Sequence, residues 1–171
     1  MSLRWGRPTV MLAAIALAAS GCAQSGGEGV DRTGAELTTP IVFAAVASVD
    51  EGACPADRPN TYESRLSGAQ CVVIDPDAVV EAESGSVALV AASEQTPDVP
   101  QSIELVLEDA SSERLRELTA ALAEQSSPRN LLVIAVEGEV VAMPAVMDEL
   151  TGRTVSISGD RLTALYDRLT V

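Results

Sequence analysis

The chain has 171 residues, with 11 basic against 25 acidic side chains, no histidine and a net charge of −14. That balance argues against nucleic acid as a partner and against electrostatic docking on anionic lipid. Without histidine no Ser-His or Cys-His catalytic pair can be built, and the commonest acid-base group of neutral pH is missing.

Residues 1–21 read as a targeting segment. Arg4 and Arg7 form a positive start, residues 10–19 an apolar core, and Ala19-Ser20-Gly21 places small residues before Cys22. The core is too short for a permanent span, which takes ~20 apolar residues. Ala19-Ser20-Gly21-Cys22 resembles a bacterial lipobox, so Cys22 is the expected lipidated first residue of the mature protein; an ordinary secretory signal cleaved nearby is the alternative. No Arg-Arg pair is present, so export in the unfolded state is expected. Loss of Arg4 and Arg7 leaves nine arginines against 25 acids, a balance of −16.

Residues 23–39, AQSGGEGVDRTGAELTT, are rich in Gly, Ser, Thr and charge. They lack the apolar surface to offset ordering and read, with Cys22, as a tether spanning 22–39. Residues 40–171 then form one domain of ordinary size. After the signal its aromatics are Phe43, Tyr62 and Tyr166, so the core must be built from Val, Leu, Ile and Ala.

The run IVFAAVASV at 41–49 is a first strand, apolar enough for burial on both faces or for small residues on one. Cys54 and Cys71 are the even pair left in an oxidising compartment. They flank a loop with little apolar content, which a disulfide would close with a contribution on the order of 3 kcal/mol. A metal or redox pair is the alternative, disfavoured by the missing histidine and the wide spacing. Val72-Val73-Ile74 reads as a short segment ended by Asp75-Pro76, and 78–82 as helix or strand without distinction. Residues 86–92 form a strand, a polar Pro-containing loop covers 93–100, and 102–107 alternates Ile103, Leu105 and Leu107 with Ser102, Glu104 and Val106. That last strand should have one wet face.

Leu115, Leu118 and Leu122 recur at spacings of three and four, with Ala121 beside them, so a helix is expected from a cap at Asp109 or Ser111 to about Gln125. Residues 131–136 and 139–143 are apolar runs split by Glu137-Gly138, a hairpin in which Gly138 can supply the positive φ. Pro144 stops the second strand because it cannot donate to a ladder. A third strand at 154–157 follows Thr151-Gly152. A final helix, capped by Ser158 or Asp160, then carries Leu162, Leu165, Tyr166 and Leu169 on one stripe. The expected class is α+β, a mostly antiparallel sheet with two amphipathic helices packed on one face.

The series Val136-Glu137-Gly138-Glu139-Val140-Val141-Ala142-Met143-Pro144, then Thr151-Gly152, then Ser156-Ile157-Ser158-Gly159, resembles the head subdomain of the first extracytoplasmic domain of SecD. SecD is a membrane subunit that assists protein export. The family usually has Asp before the turn glycine and Ser-Ala-Pro at the strand end, where this chain has Glu137 and Ala142-Met143-Pro144. The resemblance covers about residues 40–171 and implies the head-subdomain fold. It leaves out SecD's membrane helices and proton coupling, since no such helix follows the signal here.

No catalytic constellation stands out, and an enzyme is not expected. Glu137 and Glu139 flank a turn rather than the cleft that paired-carboxylate chemistry needs, and Asp148-Glu149 follow the second strand. Asp75-Pro76-Asp77 lacks the spaced ligands of a calcium loop, no Gly-rich phosphate loop precedes a helix, and neither metal nor cofactor is expected. Met143, Met147 and Leu150 are the candidate partner-binding residues, because Met adapts its shape to varied apolar partners, with core packing as the alternative. The expected function is an extracytoplasmic binding or accessory module, held on the cell membrane by its lipid and acting on exported polypeptide or export-machinery subunits. A surface lipoprotein that binds a small molecule or an envelope partner is the alternative, and it would need an enclosed apolar pocket.

Overall fold

The structure, a computed structural model, describes residues 34–90 and 102–171. Among these the chain forms β1 (Ala35–Glu36), β2 (Ile41–Glu51), β3 (Thr61–Ser64), β4 (Gln70–Ala82), β5 (Gly85–Val90), β6 (Ser102–Leu107), α1 (Asp109–Ala123), β7 (Leu132–Val136), β8 (Glu139–Ala142), β9 (Thr154–Ser158) and α2 (Leu162–Thr170). The class is α+β with two helices, and every strand pair is antiparallel except β3 with β8.

Strands β2-β4-β3-β8-β7 close into a small barrel, and β1-β5-β6-β9 form a second, open sheet. The apolar run of the first strand explains the division. Successive side chains of a strand point to opposite faces. Ile41, Phe43 and Ala45 therefore join the large core shared with the helices and the open sheet, while Ala44 and Val46 enter the barrel. β7 does the same, with Leu132, Ile134 and Val136 on one side and Val133 and Ala135 on the other. Such strands need cover on both faces, and the open sheet with α1 and α2 supplies it for the outer one. Leu115 and Leu122 of α1, and Leu162, Leu165 and Leu169 of α2, are buried in this core; Leu118 and Tyr166 pack half-buried against it.

Several local expectations change. Asp75-Pro76 does not end a strand: β4 runs straight through it. The register against β2 jumps from Ala44↔Val79 to Val46↔Ile74, so residues 75–78 lie outside the ladder. Proline is tolerated there because no ladder donor is required. Residues 78–82 are strand. Neither helix has the expected side-chain cap: Glu108 precedes α1 and Arg161, at φ 61°, precedes α2, each without a side-chain capping bond. The hairpin turn has two positive φ values, 51° at Glu137 and 80° at Gly138, the backbone that matches strand twist in a two-residue turn.

The stretch read as tether is held at its end. Ala35 and Glu36 pair with β5, Leu37 is buried, and Thr38 donates from Oγ1 to the Leu169 carbonyl. The rest of the tether, the signal, Cys22 and the loop at 93–100 lie outside the described residues. β3 was not expected, since Thr61-Tyr62-Glu63-Ser64 carries one large apolar side chain and no clear alternation.

Candidate functional site

Arg168, in the last turn of α2, reaches the tip of the β7–β8 hairpin. Its Nε donates to Glu137 Oε2 at 3.0 Å, one terminal nitrogen donates to Glu139 Oε2 at 3.1 Å, and the other to the Val136 carbonyl at 3.0 Å. The two carboxylates that the sequence places at a solvated turn are thus bridged by one guanidinium, a fork suited to several oxygens at once. Glu149 lies 3.8 Å from Arg116 on α1. Asp75 accepts a hydrogen bond from the Asp77 backbone, so these two aspartates organise the β4 irregularity.

Beside the hairpin lies a cleft of about 940 Å³. One wall is the end of β8 and the residues after it, Val141 to Pro144; the opposite wall is Ser156, Ile157 and Ser158 of β9, the loop to Arg161 and the start of α2. Arg65 and Leu66, just past β3, also line it. The cleft exists because two strands run out of partners there. β3 covers β8 only at Glu139 and Val140, leaving Val141 and Ala142 unpaired on that side. Among the described residues β9 is the edge of the open sheet, paired with β6 alone.

The polarity of that edge follows from one bond. The Leu107 N–H donates to the Arg153 carbonyl at 2.9 Å, so Arg153, and by alternation Val155 and Ile157, direct their backbone groups to β6. Ser156 and Ser158 then direct their N–H and C=O groups away from the sheet, on residues that line the cleft. No backbone hydrogen bond to another described segment takes them up. Apolar residues complete the lining: Ile134, Leu162 and Leu165 of the main core, half-buried Met143, and Leu66, which is 50% exposed.

The three residues singled out from the sequence separate in space. Met143 lines the cleft and packs on the barrel core. Met147 is 76% exposed and does not line it. Leu150 packs against the main core, and its N–H donates to Thr119 Oγ1 at 2.9 Å. Missing from the sequence-level reading were Leu66, Arg65, Arg161 and the edge serines. A lone Leu in a polar loop, and Ser alternating with Val155 and Ile157, were the available signals.

Cys54 and Cys71 form a disulfide with Cα atoms 4.7 Å apart. It closes the loop that carries Arg65 and Leu66, so it holds one wall of the cleft. Within the same loop, Arg58 pairs with Asp50 at the end of β2.

No helix among the described residues is long and apolar enough to cross a membrane. No family model matches the sequence, and no curated protein matches it. Among solved structures, one of SecDF, described as a membrane component that enhances protein export, is similar to this chain at 13% identity and a TM-score of 0.46; the match covers 78% of this chain and 61% of that one. The match thus spans less than two thirds of that solved chain.

Proposed function

We propose that the protein is an extracytoplasmic binding module, anchored on the membrane by a lipid on Cys22, whose cleft beside the β7–β8 hairpin holds exported polypeptide or a subunit of the export machinery. The observation that carries the reading is the cleft itself, lined by a half-exposed Leu66, an adaptable Met143 and a strand edge unpaired among the described residues. Polypeptide in transit offers what such a trough takes up, apolar side chains and free backbone groups together. The link to export rests on the resemblance of residues 136–159 to the SecD head subdomain. The cleft is bordered by a strand edge without a partner among the described residues, which suits a chain better than the enclosed apolar pocket that a small molecule requires. The reading is of a binding protein, with no chemical step assigned.

A photo-crosslinking amino acid placed at position 66 or 143 in cells, with capture identified by mass spectrometry, tests this. Newly exported chains or export-channel subunits should be captured from 66 and 143 and not from 147, which lies outside the cleft. No capture, or the same species from all three positions, would overturn it. Cys22→Ser should move the protein from the membrane to the soluble fraction and abolish incorporation of a labelled fatty acid; continued membrane retention would remove the anchor from the reading.

A further inference from the structure

We infer that the cleft takes its polypeptide as an added β-strand on the open edge of β9, and prefers a segment that alternates apolar residues with residues including a carboxylate. The inference rests on the cleft being a polypeptide site and specifies how the chain is held there.

Three observations on different parts of the cleft converge on it. First, the backbone groups of Ser156 and Ser158 face outward without a partner among the described residues, which offers up to two donors and two acceptors at strand spacing. Edge strands are ordinarily protected by Lys, Pro or an inward charge, and Thr154–Ser158 contains none of these. An edge without a partner among the described residues, set within a cleft, is a template for pairing.

Second, the side chains of an added strand would alternate as those of β9 do. Residues level with Ile157 would fall on the face of Ile157, toward Leu162 and Leu165; residues level with Ser156 and Ser158 would face outward. An apolar-polar alternation is therefore the pattern that fits, and continuous apolar or helical segments do not.

Third, two arginines of the lining, Arg65 and Arg161, are placed to meet a carboxylate of the occupant. On a chain with 25 acids and 11 bases the cleft is lined by Arg65, Arg161 and Arg168 against Glu139 and Asp160. Arg168 is taken up with Glu137 and Glu139. Arg65 is held only loosely, 4.0 Å from Glu63, and Arg161 has no ion pair among the described residues. A second copy of the mature chain would bring a balance of −16 against another of −16, a far larger repulsion than a short segment with one or two carboxylates meets, which disfavours self-pairing at this edge.

The test is a binding titration of the full lipidated chain in detergent with a fluorescent, end-capped heptapeptide, Val-Glu-Val-Thr-Val-Glu-Val. Two versions methylated on alternate backbone nitrogens, one on each parity, are titrated beside it. Strand addition predicts that one parity loses about tenfold or more in affinity while the other is unaffected, because only one set of N–H groups faces β9. Ser156→Pro should remove binding with little loss of stability, since that N–H is not used by the fold. Arg161→Glu should weaken the acidic peptide and leave a Gln-substituted version unchanged. Contacts in NMR spectra between peptide protons and those of Ser156 and Ser158 report the pairing without any substitution.

If both methylated peptides bind equally well while Leu66→Glu abolishes binding, the cleft reading stands and strand addition is overturned. If the parent peptide does not bind, or binds regardless of Leu66→Glu, the cleft reading itself fails. Loss of a dimer on Ser156→Pro in sedimentation experiments would assign the edge to self-association and overturn the acidic-peptide proposal.

Discussion

Arg168 Nε donates to Glu137 Oε2 at 3.0 Å, tying the last turn of α2 to a hairpin tip 31 residues earlier in the chain. The same guanidinium reaches Glu139 and the Val136 carbonyl, so one side chain sets the angle between α2 and β8, two walls of the cleft. Arg168→Met should lower stability by about 1 kcal/mol, a modest figure because both carboxylates are half exposed. Arg168→Lys should recover only part, since an ammonium cannot span three oxygens as a planar fork does. Urea unfolding at low and high salt checks this; wild-type stability in Arg168→Met would show that the contact contributes nothing.

Thr119 is a buried polar group with a defined task. Its hydroxyl donates to the Leu115 carbonyl at 2.9 Å and accepts from the Leu150 N–H at 2.9 Å, which fixes the segment after Met147 to α1. Thr119→Val keeps the shape and leaves that amide without its partner, which should cost about 1–3 kcal/mol; Thr119→Ser should recover most of it. The Leu150 amide should also exchange with deuterium faster in the valine variant. Unchanged protection there would show that another group satisfies it.

Reduction of the Cys54–Cys71 disulfide should lower stability by about 3 kcal/mol in the loop-entropy account. Because Arg65 and Leu66 lie inside the closed loop, peptide affinity at the cleft should fall as well, at denaturant concentrations far below unfolding. Equal affinity of the oxidised and reduced proteins would separate that loop from the site.

Burial, and to a lesser degree the nearby negative charge of Glu81, pushes the phenol of Tyr62 above its usual value of 10.0. A raised acid pKa in the folded state means that the native protein holds its proton longer than the unfolded chain. The contribution is therefore fully present below pH 10 and is lost as pH rises through the folded value. Tyr62→Phe should lose less stability than wild type on that climb, with Tyr166 common to both. Identical alkaline slopes in urea titrations would contradict it.

Read from its residues, the chain declares most of its elements. The periods of Leu115-Leu118-Leu122 and Leu162-Leu165-Leu169 set both helices, the alternation of Ile103, Leu105 and Leu107 set β6, and Glu137-Gly138 set the hairpin. These are local patterns, and each carries its own physical cause within a few residues. Pro76 misled because a proline's effect depends on whether its position is in the ladder, and only the pairing of β4 with β2 shows that it is not. The helix caps misled as well: Ser and Asp stand near the right places, but Glu108 and Arg161 hold the cap positions and neither makes a side-chain capping bond.

Sequence alone determined the class, the two helices and the hairpin. Tertiary structure alone decided that the strands divide into a barrel and an open sheet, because burial on both faces of β2 and β7 is satisfied by neighbours distant in the chain. It also decided the cleft, where Leu66, Met143, Ser156 and Arg161 meet. A strand edge is a property of what fails to pair with it, and no run of residues read by itself records that.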